Sequence, residues 1–240
     1  MIFNFFKSKP YLKDLISTGF VDIHSHVLPG IDDGAKNTKE SVQLISEMKK
    51  LGFSKIIGTP HTYPGLYENT NESIKKSFEI LHRKIPKNIC IDYASEYMLE
   101  ESIIDKARNK NLLCIKDNYV LVEMSFISEP VGLYEIIYEL RVNGYIPVLA
   151  HPERYLFLNN KNLLKLKKFG CLLQGNLLSI TDYYGVHIRK NLEKLISKKL
   201  IDFMGSDIHH NGHVLAFEKK VNYRKIDDFC KIIENNNLLK

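Results

Sequence analysis

A chain of 240 residues with 44% hydrophobic and 26% charged side chains has the make-up of a soluble globular protein, as one large α/β domain or two small ones, and excludes a disordered or fibrous chain. The formal net charge of +6, from 34 Lys and Arg against 28 Asp and Glu, is a mild bias that favours an anionic substrate. There is no dense basic run with interleaved aromatics, so nucleic acid is not favoured, and no apolar stretch is long enough to span a bilayer.

The N-terminal run Met1-Ile2-Phe3-Asn4-Phe5-Phe6-Lys7 is apolar but short. It lacks the basic start and long apolar core of a signal peptide, so a cytoplasmic protein is expected. Packing on the domain is the expectation for this run, ahead of contact with a membrane surface or a partner. Residues 1–19 read as an extension before the first strand. No linker or low-complexity stretch divides the chain, so a single domain over 1–240 is expected.

The first strand is predicted at 20–26. A helix is predicted at 38–51, with Thr38 as N-cap and Gly52 closing it. A strand at 55–61 precedes a helix at 73–85, which ends before Pro86. Strands at 89–97 and 119–125 come next, then a helix at 133–143 running to Gly144. The strand at 146–151 leads to a helix at 160–169 and Gly170. A strand at 171–176, a helix at 185–199 and a strand at 201–207 complete the series. Seven strands with intervening helices predict parallel pairing and a (β/α)7 barrel.

Side chains able to ligate metal stand where six of these strands end. The first carries Asp22-Ile23-His24-Ser25-His26; residues two apart in a strand face the same side, so His24 and His26 can hold one ion together. The loop Pro29-Gly30-Ile31-Asp32-Asp33-Gly34 adds carboxylates on a turn that glycine permits. Further ends read Thr59-Pro60-His61, Ala94-Ser95-Glu96, Leu121-Val122-Glu123-Met124, Leu149-Ala150-His151-Pro152-Glu153-Arg154 and Gly205-Ser206-Asp207-Ile208-His209. Parallel barrels gather function at the C-terminal rim of their strands. Each residue alone has an ordinary structural explanation, such as a hydrogen-bonded pair or a loop histidine. Together, five imidazoles and four carboxylates would be costly to bury without cations. Asp33, Glu96, Glu123 and Asp207 supply four negative charges. Three divalent ions would overcompensate them and leave a positive surplus for a hydroxide and a phosphate dianion.

The combined motifs resemble the polymerase and histidinol phosphatase (PHP) superfamily. The string Val21-Asp22-Ile23-His24-Ser25-His26 with Leu28-Pro29-Gly30-Ile31-Asp32-Asp33-Gly34 is most similar to its bacterial capsular-polysaccharide tyrosine phosphatases, and the resemblance runs over 20–213. It implies a distorted seven-stranded (β/α) barrel of PHP type. It implies that His24, His26, Glu96 and Asp207 hold a first metal. Glu96 would bridge to a second, held also by Glu123 and His151. Asp33, His61 and His209 would hold the third. Manganese is the implied metal, with iron or zinc as alternatives. Arg154 matches the arginine that contacts the substrate phosphate, and His24, His26 and Asp207 join it as the catalytic set. One departure stands out. Relatives often carry a second phosphate-binding arginine shortly after the final Asp-x-His, where this chain has His210-Asn211-Gly212-His213; His210 and His213 read as exposed loop histidines, ahead of weaker, pH-dependent substitutes for it.

The implied reaction is one-step hydrolysis of phosphotyrosine by a metal-activated hydroxide. The implied partner is the phosphotyrosine tail of a bacterial capsule or exopolysaccharide tyrosine kinase. The alternatives are a small-molecule phosphatase of histidinol-phosphatase type and an inactive metal-binding regulatory module. Thiol chemistry is excluded: the residues six positions after Cys90, Cys114, Cys171 and Cys230 are Glu96, Val120, Leu177 and Asn236, and none is the arginine a cysteine phosphatase requires. All four cysteines read as buried, reduced thiols. Asp182, Asp202 and Lys165-Leu166-Lys167-Lys168 read as solvated surface. Tyr155, Tyr183 and Tyr184 are expected near the rim, in the pocket or packed beside it.

Overall fold

The computed structural model describes residues 9–16 and 19–240; the apolar run at 1–7 lies outside them. The described part of the N-terminal extension packs on the C-terminal part of the chain. Its short helix α1 (Leu12–Leu15) has Leu12 fully buried, and the Leu12 N–H donates to the Lys219 carbonyl at 3.0 Å.

The elements then alternate. They run β1 (Phe20–Ser25), α2 (Thr38–Lys50), β2 (Phe53–Gly58), β3 (His61–Thr62), α3 (Asn71–His82), β4 (Cys90–Tyr93) and β5 (Glu96–Met98). Then come α4 (Ser102–Arg108), β6 (Tyr119–Glu123), α5 (Leu133–Val142), β7 (Ile146–Ala150), α6 (Asn160–Lys168) and β8 (Leu172–Asn176). The chain ends through α7 (Val186–Ser197), β9 (Phe203–Gly205), α8 (Asn211–Leu215) and α9 (Ile226–Asn235). The sequence reading does not foresee α1, α4, α8 and α9. The amphipathic α9 seats Phe229, Ile232 and Ile233 in the core.

Among the described residues, nine strands in two parallel sheets stand where seven are expected, in the orders β1-β2-β4 and β3-β5-β6-β7-β8-β9. The difference has a local cause. The segment predicted at 55–61 breaks at Thr59-Pro60, where proline has no N–H for a ladder. The neighbouring segment predicted at 89–97 breaks opposite, at Ala94-Ser95. Hydrogen bonds carry the register across both breaks: Ala94 N–H to the Gly58 carbonyl at 2.9 Å and Glu96 N–H to the Pro60 carbonyl at 3.0 Å. On the other side of β1, Asp207 N–H reaches the His24 carbonyl at 2.8 Å and His26 N–H reaches the Ile208 carbonyl at 2.9 Å.

Strand faces alternate between two apolar clusters. Val21, Ile23, Ile57, Leu121 and Val148 pack with one another in the smaller. Ile56, Val120, Val122, Leu149 and Leu173 face the helices in the larger. Burial on both faces is what parallel strands covered by helices require. Local signals set the helices. Asn37, not Thr38, caps α2, its side chain accepting from Glu40 N–H at 3.1 Å, and Leu44, Ile45 and Met48 form the buried face.

After α9 the buried Asn236 ties the end of the chain to two strands. Its amide donates to the Val21 carbonyl at 2.8 Å and its oxygen accepts from Met204 N–H at 3.0 Å. Asn236→Ala strands buried backbone groups in β1 and β9, at a cost of about 2–4 kcal/mol. A thermal melt is expected to shift down by roughly 5–10 °C; an unchanged midpoint counts against this role.

Candidate metal centre

All nine ligand candidates converge on one end of the parallel strands. His24 and His26 project from the end of β1, and Nε2 of each faces the other at 3.2 Å. Their outer nitrogens are fixed. His24 Nδ1 meets the Gln174 amide oxygen at 2.7 Å, and His26 Nδ1 meets Asp32 Oδ2 at 2.7 Å. With Nδ1 so occupied on each ring, Nε2 faces inward, and the neutral Nδ1–H form would present its lone pair to a metal. Glu96 and Asp207 face these nitrogens: His24 Nε2 lies 3.1 Å from Glu96 and 3.3 Å from Asp207.

Glu96 is the centre of the cluster. It is fully buried, and neither of its oxygens has a hydrogen-bond donor. Instead Oε2 lies 3.1–3.4 Å from ring nitrogens of His24, His26 and His61, and Oε1 lies 3.2 Å from His151 Nε2. A carboxylate so placed fits a bridging ligand. His61 also reaches Glu123 at 2.7 Å and, through Nε2, Asp33 at 3.5 Å; His209 Nε2 approaches Asp33 at 3.5 Å as well. Four sets of donor atoms fall within 4.8 Å of one another: His24-His26-Asp207, His24-Glu96-His151, His61-Glu96-Glu123 and His26-Asp33-His61-His209. Glu123 and His151 share Glu96 but no set, because Glu123 leans on His61.

Charge explains the crowding. In the metal-free protein burial pulls the His24 imidazolium down, but Glu96 and Asp207 push it up to about 9. Burial raises Glu96 and Asp207, yet the surrounding imidazoles hold both well below the carboxylate range. Burial raises Glu123, and so does Glu96 beside it. Burial drops His151 to about 4. The His209 hydrogen bond draws Asp33 to about 2. Protons and imidazolium thus occupy the position that cations would take.

Two ligand candidates sit in strained backbone. His151 has φ 36° and Asp207 φ 53°, left-handed values that non-glycine residues rarely adopt, at the ends of β7 and β9. Arg154 follows in the 3-10 turn Pro152–Arg154 and donates to Asp207 Oδ2 at 2.9 Å; Asn176 donates to the same oxygen at 2.9 Å. The Arg154 guanidinium lies between two rings, 4.5 Å from the centroids of Phe126 and Tyr184. These groups open on a cavity of about 290 Å³, in which Arg154 is the only lysine or arginine among the described lining residues.

Sequence reasoning misses Gln174, Asn176, Phe126 and Tyr67, whose ring stacks on His61 with centroids 5.5 Å apart. Gln174 and Asn176 are two apart in β8, a spacing that places both on one face and is the available signal. Asp32 reads from sequence only as a loop carboxylate.

Other expectations need correction. His213 is not an exposed loop residue: α8 buries it, and its Nδ1 accepts from His209 N–H at 3.1 Å. Burial lowers it to about 4, so it is no cation. His210 is exposed, as expected. Tyr155 is buried, its hydroxyl accepting from Met124 N–H at 2.9 Å, while Tyr184 lines the cavity. Asp202 and Lys167 form a half-buried pair at 2.6 Å, and Asp182 pairs with Arg189 at 2.7 Å. Leu166 is core. Cys90 is exposed and Cys114 and Cys230 are half-buried, so only Cys171 is buried as expected; all four cysteines are free. Burial pushes the Cys114 and Cys171 thiols up to about 11 and about 12. No cysteine lines the cavity.

Fold and cavity define the class: a parallel α/β protein whose strand ends assemble a set of metal-ligating side chains beside one arginine. Within that class, the chain belongs to the capsular polysaccharide synthesis CpsB/CapC family, whose sequence profile matches residues 20–219. It is 30% identical to the putative tyrosine-protein phosphatase CapC of Staphylococcus aureus, over 90% of this chain and 87% of that one. It is 29% identical to the tyrosine-protein phosphatase YwqE of Bacillus subtilis, over 79% and 77%. Among solved structures it is similar to one from work on YwqE of Bacillus subtilis and CpsB of Streptococcus pneumoniae, described as unique metal-dependent tyrosine phosphatases. That match has a TM-score of 0.79 and 27% identity, and covers 91% of this chain and 93% of the other.

The raised His24 has a consequence for stability. Its folded value of about 9 lies above the ordinary 6.5. Its contribution is therefore complete below pH 6.5 and is lost as pH rises through about 9. Metal-free protein is expected to lose denaturant stability across that window, and saturating divalent metal to flatten the slope. A metal-free profile that stays level there contradicts the charge arrangement.

Proposed function

We propose that this chain is a metal-dependent phosphotyrosine-protein phosphatase acting in the cytoplasm on the tail of a bacterial capsule or exopolysaccharide tyrosine kinase. The observation that carries the reading is the buried Glu96 carboxylate, without a hydrogen-bond donor and ringed by four imidazoles. The names of its relatives supply the substrate class. The metal dependence stated for the similar solved structure agrees with the donor set.

We assign three divalent ions, manganese first among the metals that such mixed donors suit. The first takes His24, His26, Glu96 and Asp207; the second takes Glu96, Glu123 and His151; the third takes Asp33, His61 and His209. Short distances support the first and third sites and set His151 beside Glu96, while Glu123 lies nearest His61. The scaffold is one distorted seven-stranded (β/α) barrel of PHP type over 1–240. The register that crosses both strand breaks and the β1 contacts at Asp207 and Ile208 support closure.

When bound, divalent ions neutralise phosphoryl charge and lower the pKa of water toward neutrality. The protein supplies orientation. Gln174 and Asp32 aim the His24 and His26 lone pairs. Asn176 and Arg154 hold Asp207. Arg154, kept flat between Phe126 and Tyr184, directs its remaining donors at the phosphoryl oxygens. A phenolate leaving group has a conjugate acid of pKa about 10, so hydrolysis proceeds without a strong general acid. Arg154, His24, His26 and Asp207 form the catalytic set.

His24→Ala is expected to lose bound metal and turnover together, read by metal analysis and hydrolysis of a phosphotyrosyl peptide. Arg154→Ala should keep its metals, because Asn176 still holds Asp207, and lose roughly 100-fold in kcat/KM. Chelation should abolish activity and thiol alkylation should leave it. Turnover by fully metal-free protein would overturn the assignment.

A further inference from the structure

Beside the metal pocket lies a larger cleft of about 510 Å³. Three chain segments serve both. His61 and Glu123 line the metal pocket, while Tyr63 and Ser125, each two residues further on, line the cleft. Glu96 stands in the metal cluster, and Met98, two residues along β5, lines the cleft. Residues two apart on an extended chain share a face, so each segment runs from one cavity into the next. The loop after β6 forms the wall between them: Phe126 faces the metal pocket, while Ser128, Pro130 and Val131 face the cleft.

The cleft has a definite chemistry. Apolar surface comes from Met98, Leu99, Ile104 and Ile136. Val131 on its lining is 97% exposed, and the neighbouring Ile127 is 89% exposed. Its charges are Glu100, Glu101 and Glu135; no lysine or arginine is among its described lining residues, although the whole chain carries +6. An anionic lipid surface or nucleic acid would be repelled by three carboxylates. A polypeptide carrying a cationic side chain beside apolar ones complements them.

We propose that this cleft docks the polypeptide flanking the phosphotyrosine and selects a lysine or arginine there. The inference rests on the phosphotyrosine reading above and adds a substrate preference to it. The two cavities divide the substrate by charge. The metal pocket with Arg154 takes the phosphate dianion, and the acidic cleft takes the neighbouring cation. A substrate with both groups is held at two points, which fixes its direction across the site.

The test uses the full chain with its metals. Phosphotyrosyl peptides that differ only in one flanking residue, as lysine, alanine or glutamate, are compared at successive positions, with para-nitrophenyl phosphate as a substrate too small for the cleft. At one or more positions lysine should exceed glutamate by about tenfold in kcat/KM, through KM, and the gap should shrink with added salt. Glu101 and Glu135 are exposed and line the cleft but not the metal pocket. The E101K/E135K variant should invert the preference and leave para-nitrophenyl phosphate turnover unchanged. Peptides hydrolysed at equal rates whatever their flanking charge, or a lysine preference that survives the charge reversal, overturn the cleft assignment alone. Refusal of every phosphotyrosyl peptide while para-nitrophenyl phosphate is consumed overturns the phosphotyrosine reading and the cleft with it.

Discussion

The structure is organised around one electrostatic problem: Glu96, Asp207 and Glu123 are buried beside five imidazoles. A buried carboxylate is tolerable only when opposite charge or hydrogen-bond donors surround it. Glu96 has only ring nitrogens facing its oxygens, none in a well-directed hydrogen bond. The imidazoles offer partial relief by taking protons, but a histidine raised to about 9 is itself a strained solution, since burial opposes its charge. Divalent cations resolve both difficulties, satisfying the carboxylate oxygens and allowing the imidazoles to be neutral donors. Binding is therefore coupled to proton release, and affinity must rise with pH over the range in which the histidines titrate.

The surrounding protein makes that solution specific. Gln174 and Asp32 choose the tautomers of His24 and His26, and each is held in turn. Gln174 donates to the Gly175 carbonyl at 2.6 Å, and Asp32 accepts from Gly34 N–H at 2.9 Å. Gly34 itself has no alternative, because any Cβ there would collide with the His26 backbone. The loop bearing Asp32 and Asp33 thus closes against the strand bearing His26. Behind them the fully buried Asp22 accepts from Ser206 N–H at 2.9 Å and locks β1 to the turn that presents Asp207. Ligand placement, loop closure and strand pairing are one packing arrangement.

That interdependence shows what could be read from the amino-acid order. His24 and His26 are legible because a strand has period two, and the ends of β2, β6, β7 and β9 are legible because apolar runs stop there at polar residues. The strand breaks at Thr59-Pro60 and Ala94-Ser95 are less so: a proline announces the first, but the second arises only because its neighbour has broken. The helix α9 escapes the sequence reading although its apolar spacing is regular, and Asn236 carries no local signal of the strands it joins. Partners such as Gln174 and Asn176 are common residue types whose role depends on contacts far along the chain. The burial of His213 is of the same kind, since it depends on α8 packing beside Tyr183 and Tyr184. Sequence periodicity locates side chains on elements; it says little about which element they meet.

The fate of His213 bears on which esters this site can cleave. With His213 held neutral by burial and its ring nitrogen occupied by His209 N–H, the segment after Asp207 adds no fixed cation. Arg154 is then the single guanidinium among the described residues of the cavity, and one of its donors is already committed to Asp207. The protein's own side chains cannot balance a phosphate dianion, and the metals must carry most of that charge. They can do so only for oxygens close to the ligand set. Apart from the ligand candidates and Arg154, the cavity is lined by Phe126, Tyr184, His210 and His213, none of them a fixed cation. An aryl oxygen, which stabilises its own charge, suits such a lining; an alkoxide does not. The aromatic pair that orients Arg154 and the lack of a second fixed cation therefore point to the same kind of substrate, one whose leaving group needs little help.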